Sequence, residues 1–226
     1  MSIAKLYSIL RAFWRGAQEG QAGDILIPIM GISGAGKSSF INAFKIAGGG
    51  SAKVGHTLQV CTHGIIMYSI RLPNELASEY KAVIKSRRIV LVDTPGFDTS
   101  AEDSDTLFKI TEWLNKQYTK RATLGGVVYM CDISMNRINK AARVNVERLE
   151  KMLGGSNSFQ RVVLVTAAWD AVKPEVGAKR EEEFCLSFWR ELIAGGAVVK
   201  RTRNLAGPAP SGHVEVLRHI LQSLRT

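Results

Sequence analysis

The sequence predicts an α/β fold of three layers, a mostly parallel sheet of about six strands with helices on both faces. Three observations carry that expectation. Apolar runs of strand length alternate with runs of helical spacing from residue 24 onward, and such alternation builds parallel sheets covered on both sides. Residues 89–92 and 162–165 are apolar at every position, which is how a strand buried on both faces reads. The 226 residues, 46% apolar and 22% charged, suffice for one sizeable core and are short for two.

Residues 1–22 stand apart as an N-terminal amphipathic helix. Ile3, Leu6, Tyr7, Leu10, Phe13, Trp14 and Ala17 share one face, with Lys5, Arg11 and Arg15 on the other side. Gly16, Gly20 and Gly23 loosen the join to a second unit, residues 23–226. There, residues 25–30 read as a buried strand, although Pro28 removes a ladder donor. Residues 38–46 read as a helix, 48–62 as a long Gly-containing loop and 65–72 as an alternating strand. Residues 73–86 are ambiguous, with a short helix from Pro73 and Asn74 as one reading. A strand over 88–92 and an amphipathic helix over 105–117 follow, then a strand over 127–131. Gly154 and Gly155 close a helix over 138–153. The chain finishes with a strand over 162–166, a helix over 181–193, a short strand over 197–200 and a helix over 213–224.

Composition narrows the function classes. The longest uncharged apolar stretch, residues 25–32, is too short to cross a bilayer as a helix. Cys61, Cys131 and Cys185 form neither a metal pattern nor a disulfide framework, so a reducing, cytoplasmic setting is expected. Thirty Lys and Arg against 20 Asp and Glu give a formal charge of +10, which suits anionic partners such as nucleotide, phospholipid or RNA. Nucleic acid is not expected as a partner.

In a doubly covered sheet, ligands bind at the carboxyl ends of the strands, and the informative residues lie there. Directly after the first strand runs Gly31-Ile-Ser-Gly-Ala-Gly-Lys-Ser38, followed by a helix. This G-x-x-x-x-G-K-S pattern, in its strand–loop–helix context, is a phosphate-binding loop. Its glycines let the backbone N–H groups of Ser33, Gly34, Ala35, Gly36, Lys37, Ser38 and Ser39 converge on phosphate oxygens. Lys37 supplies a point charge for the β- and γ-phosphates, and the Ser38 hydroxyl is a Mg²⁺ ligand candidate. Asp93-Thr94-Pro95-Gly96 follows the strand over 88–92. An acid at that strand end holds Mg²⁺ through water, and the Gly96 N–H can meet the γ-phosphate. A threonine from the loop before the strand at 65–72 should complete the metal shell; Thr57 and Thr62 are the candidates, and Thr62 is preferred because it lies nearer the strand. Asp170 ends another strand, where it either accepts from guanine N1 and N2 or caps a helix.

Together these stretches resemble the P-loop GTPases of the translation-factor-like class. The likeness is closest to fungal G-domain proteins, related to the immunity-associated GTPases, septins and chloroplast import receptors. It rests on residues 29–42, 54–62, 90–98 and 163–170 and spans about residues 24–225. It implies a G domain that binds GTP or GDP with Mg²⁺, in which Lys37, Ser38, Thr62, Asp93, Gly96 and Asp170 carry the family's roles. The loop near Arg203 and Asn204 should touch the base. Relatives of this kind also imply a nucleotide-dependent homodimer. Two departures matter. Phe97 stands where strong GTPases carry a water-orienting Gln, and Ala167-Ala168-Trp169-Asp170 replaces Asn/Thr-Lys-x-Asp. Related members share a T-x-x-W-D form, so Trp169 either covers the base or belongs to the core.

The expected function is therefore a switch or self-assembling GTP-binding protein with slow Mg²⁺-dependent hydrolysis. A P-loop ATPase and a pseudo-GTPase scaffold that binds without turnover are the alternatives, the latter kept open by Phe97. The apolar face of residues 1–20 needs a cover: docking on the G domain or a neighbouring copy is the preferred reading, a membrane surface aided by the basic side is the second, and a cleaved transit peptide the third.

Overall fold

The structure, a computed structural model, describes residues 20–54, 64–96, 103–135, 149 and 159–225. The predicted helix over 1–22 lies outside these except for its last residues, and so does that over 138–153 except for Leu149, which is buried.

Among the described residues, eight strands form one sheet: β1 Ile25–Gly31, β2 Lys45–Ile46, β3 Ile66–Arg71, β4 Ile89–Asp93, β5 Thr123–Leu124, β6 Val127–Asp132, β7 Val162–Ala167 and β8 Val198–Arg201. The order is β2-β3-β4-β1-β6-β7-β8, with β5 pairing β1 beside β6. β2 and β5 hold two residues each, so six full strands remain, as expected. All pairings are parallel except β2 with β3 and β3 with β4. The α-helices bounded within the described residues are α1 Lys37–Asn42, α2 Asn74–Glu79, α3 Lys81–Ile84, α4 Asp103–Thr119, α5 Pro174–Glu183, α6 Arg190–Ala194 and α7 His213–Ser223.

Side-chain alternation along β1 divides the core into two layers. Leu26 and Met30 join Trp113 of α4 with Phe184, Trp189 and Leu192 of the α5–α6 segment. Ile25, Ile27 and Ile29 join Phe40 and Ile41 of α1, Leu76 of α2 and Leu217, Ile220 and Leu221 of α7. Every β1 residue is buried, which is why its hydrophobicity does not alternate.

Pro28 sits in this central strand without breaking it. β1 pairs β5 through Ile25↔Thr123 and Leu26↔Leu124, then β6 through Ile29↔Val128. The neighbouring chain therefore carries one extra residue at Gly125–Gly126, opposite the proline. A bulge is where a missing donor leaves no ladder bond unmade. Gly125 is required there: a Cβ would lie 2.6 Å from Ile25 Cγ2.

Three elements depart from the sequence reading. The helix expected over 38–46 ends at Asn42, because Lys45 and Ile46 turn to pair Arg71 and Ile70 of β3. Residues 73–86 form α2 and α3, ended by Lys85 and Ser86 at φ 47° and 63°. The helix expected over 181–193 begins at Pro174, a residue suited to the first helical turn. It passes through one π turn, in which the Trp189 N–H donates to Phe184 O at 2.9 Å, before α6.

Candidate functional site

β1 ends at Gly31 with φ 138°, and a Cβ there would lie 2.3 Å from Met130 O of β6. Only glycine lets the chain leave the sheet so close to its neighbour. The loop then turns through Gly34 and Gly36, at φ 79° and 86°, into α1. Lys37 is buried, and its ammonium donates back to Gly31 O at 3.1 Å and Ile32 O at 2.9 Å. The cation is thus held inside the arc of the loop. Ser33 and Ser39 are half-buried at its two ends, Ala35 is buried beneath it, and Gly34 is exposed at its crest.

Parallel register brings the second motif alongside. Ile29 pairs Asp93, and the buried Thr94 hydroxyl donates to Ile29 O at 2.8 Å. Asp93, 1% exposed, accepts from the Ser38 hydroxyl at 2.9 Å. A hydroxyl and a carboxylate oxygen in contact, one buried, are a hard-oxygen pair of the kind Mg²⁺ takes. Gly96 closes on the loop: a Cβ would lie 2.2 Å from Ser33 Oγ and 2.6 Å from Ser33 N. The residue types present fit a Mg²⁺–phosphate group, with Ser38 and Asp93 able to hold the metal side.

The base-side candidates also meet. Asp170 is exposed on a short 3₁₀ turn after β7, and its Oδ1 accepts from the Asn204 N–H at 3.3 Å. Asn204 has φ 52°, and Gly207 folds so closely over it that a Cβ would meet Asn204 Oδ1 at 1.9 Å. Leu205 Cδ1 comes within 4.0 Å of a Cβ placed at Gly36. The loop after β8 therefore abuts the phosphate loop. Asp170 is not a helix cap: no side-chain cap bond is made at this turn or at α5.

Trp169 belongs to the core and does not lie open over a base. It is 5% exposed and wedged under α5, where a Cβ at Gly177 would lie 2.6 Å from its ring. Its indole N–H donates to Thr166 Oγ1 at 3.0 Å, and the Thr166 hydroxyl donates to Glu181 Oε1 at 2.7 Å. Arg201 pairs the other Glu181 oxygen and lies 4.2 Å above the indole centroid. Sequence reading missed this network, which fixes the turn carrying Asp170. Its one signal was a Glu at a position that helical spacing places inward. Thr62 and Thr57, along with Phe97, lie outside the described residues.

A family model described as 50S ribosome-binding GTPase matches residues 26–167. The chain belongs to this GTPase family. The match runs from β1 through β7 and so contains the phosphate loop and the Asp93–Gly96 motif. No curated protein matches the sequence. Among solved structures, Toc33 from Arabidopsis thaliana in complex with GDP and Mg²⁺ is similar, with a TM-score of 0.60 and 16% identity over 99% of this chain and 91% of that one. A structure of the chloroplast translocon components atToc33 and psToc159, in which dimerization is described as important for the GTPase activity, has a TM-score of 0.60 and 15% identity, covering 98% of this chain and 89% of that one. A bacterial selenocysteine-specific elongation factor has a TM-score of 0.56 at 16% identity, covering 89% of this chain but 28% of its own. At such identities the likeness shows the fold, a G domain.

Proposed function

We propose that the protein binds GTP and GDP with Mg²⁺ and hydrolyses GTP slowly, as a switch or a nucleotide-dependent self-assembling module. The observation that carries the reading is the 2.9 Å contact of Ser38 with the buried Asp93, beside a loop that encloses the Lys37 ammonium. In this reading the loop amides and Lys37 bind the phosphates. Ser38 and Asp93, with Thr62, hold the metal side, and Gly96 offers its N–H to the γ-phosphate. Bound Mg²⁺ would supply charge neutralisation at the phosphates. Asp170 would accept from guanine N1 and N2, with the Asn204 loop beside the base. The GDP and Mg²⁺ bound by Toc33 support this choice of ligands.

Phe97 in place of a water-orienting Gln supports a slow rate, on the order of 10⁻³ s⁻¹ or below. It equally favours a second reading, binding without turnover. The dimerization described for the chloroplast components makes a partner copy the natural source of a missing group. Single-turnover hydrolysis across a protein concentration series, with calorimetric GTP and GDP binding in Mg²⁺ or EDTA, tests both. A rate that rises with concentration supports the self-assembling reading. Binding with no turnover at any concentration supports the scaffold. Failure to bind GTP or GDP overturns the proposal.

A further inference from the structure

The pole of the sheet opposite the candidate site carries a feature that nucleotide binding does not use. Between α3 and the end of α7 lies an open groove lined by Ala82, Val83, Lys85, Arg87, Leu224 and Arg225. Three of its six lining residues are cationic and none is acidic. The cations are fixed by neutral groups. Arg87 donates to Val83 O at 2.7 Å and to Ile84 O at 3.2 Å. Arg225 donates to Glu79 O at 2.5 Å and lies 4.3 Å over the Tyr80 ring. Neither contact neutralises charge, because backbone carbonyls and an aromatic face leave the full positive charge in place. Of the acids nearby, Glu79 has its carboxylate engaged by Arg218 and Asp24 pairs with Arg88. Lys85 stands exposed at φ 47° on the turn that ends α3.

The charge continues beyond the groove. Arg87 Cγ lies 3.9 Å from a Cβ placed at Gly23, and the Gly23 N–H donates to Arg121 O. Arg121 and Lys120 are both exposed there. At this same pole the chain arrives from its N-terminal residues, with the Gly20 N–H on Gln117 Oε1 at 2.8 Å. Residues 1–18 hold three Lys and Arg (Lys5, Arg11 and Arg15), no Asp or Glu, and an apolar set that includes Phe13 and Trp14.

We propose that this pole is a docking surface for an anionic phospholipid bilayer, with Lys85, Arg87 and Arg225 meeting lipid phosphates. Fixed cations around an apolar floor of Val83 and Leu224 match a surface that is anionic outside and apolar beneath. The adjoining N-terminal sequence has the same two-sided character, and clustered Lys and Arg near an anionic leaflet each add attraction. Val83 and Leu224 suit acyl chains, whereas single-stranded nucleic acid is gripped by exposed aromatic rings on which bases stack, and the groove lining has none. The surface faces away from the loop at Gly31 to Ser38, so a docked protein would keep its nucleotide site toward solvent.

The test is flotation of the full chain with vesicles of phosphatidylcholine alone and with about one-third phosphatidylserine, at low and physiological salt. The full chain should float with the anionic vesicles only, and less so as salt rises. Lys85→Glu with Arg225→Glu should weaken that partition by more than roughly fivefold per residue. Arg87→Gln, which keeps a donor for the Val83 and Ile84 carbonyls, should weaken it by a smaller factor. GDP affinity of each variant reports folding, and unchanged affinity with lost flotation supports the proposal. Because GDP is read separately, failure at this pole leaves the nucleotide reading intact. Equal flotation of native and variant chains overturns the proposal, since the N-terminal residues alone would then account for it. So does native protein that ignores anionic vesicles, or tighter, groove-dependent binding to an RNA oligonucleotide.

Discussion

At the scale of single residues, the site is built from positions where one atom more would not fit. Gly31→Ala places a methyl 2.3 Å from Met130 O at φ 138°, so it should cost at least about 2 kcal/mol. Chemical denaturation measures this directly. Gly96→Ala would place its methyl 2.6 and 2.7 Å from Ser33 N and Cα, backbone atoms that have to move. It should destabilise by about 1–3 kcal/mol, and GTP affinity should fall about tenfold, the order of one charge-assisted hydrogen bond. GDP affinity should fall less, since only GTP presents a γ-phosphate to Gly96. Calorimetry with both nucleotides checks the ratio, and equal losses would remove Gly96 from the γ-phosphate. Burial also fixes reactivity. The Cys131 thiol is pushed up to about 12 by burial and then by Asp132, and the thiolate is the reactive form. Cys131 should therefore resist alkylation in the native protein at pH 8 and react only after denaturation, as peptide mass mapping would show.

At the scale of elements, what the sequence disclosed and what it withheld separate by the range of the interaction. The phosphate loop, Asp93 and the strands that carry them were legible because each is a local pattern: an apolar run followed by a defined string of Gly, Lys, Ser or Asp. Helix ends were less legible. The first helix stops at Asn42 because Lys45 and Ile46 are claimed by β3, some 25 residues on. The bulge that accommodates Pro28 is written in Gly125 and Gly126, which no local window connects to β1. The Thr166–Glu181–Arg201 network lies on three elements and has no motif. It also gives Trp169 its role, which sequence left between base cover and core. Pairing α5 to the turn after β7 makes the network testable. Glu181→Ala strands the Arg201 charge and the Thr166 hydroxyl together. With the Arg201 side chain 48% exposed, it should destabilise by only about 1–2 kcal/mol and weaken nucleotide binding by loosening the Asp170 turn. A pH effect belongs to α7. Burial lowers His213, whose ring packs edge-on against Phe44 at 4.9 Å. Its folded form takes a proton less readily than the unfolded chain, which titrates near 6.5. Its contribution to stability is therefore whole above that pH and is lost as pH falls through the folded value. The melting temperature should drop between pH 7.5 and 5, and His213→Phe should reduce the drop.

At the scale of the whole molecule, the sheet gathers residues from four strand ends that are far apart in sequence, and ligand binding should report on all of them at once. Lys37 and Ser38 follow β1, Asp93 and Gly96 follow β4, Asp170 follows β7, and Asn204 follows β8. β4, β1, β6 and β7 are consecutive neighbours in the sheet, so a nucleotide spanning these ends ties the two core layers together. A ligand that binds only the folded chain adds about 2.7 kcal/mol at one hundred times its dissociation constant. For a chain of this size that is roughly 5–10 °C in melting temperature. GDP with Mg²⁺ should produce such a shift, and EDTA should reduce it by removing what Ser38 and Asp93 hold. Lys37→Ala should abolish it, since the loop then has no cation for the phosphates. ATP at the same concentration should give little shift. Adenine presents no donor at N1 to Asp170, and a site built to bond a substrate group rejects an analogue lacking it by up to about 10⁴-fold. Asp170→Asn should transfer the response toward xanthine nucleotides, whose extra carbonyl pairs with an amide donor. Equal shifts with ATP and GDP would show that Asp170 and Asn204, though in contact, do not read the base. They would then be a brace for the loop that abuts Gly36, and the phosphate half of the site would stand alone.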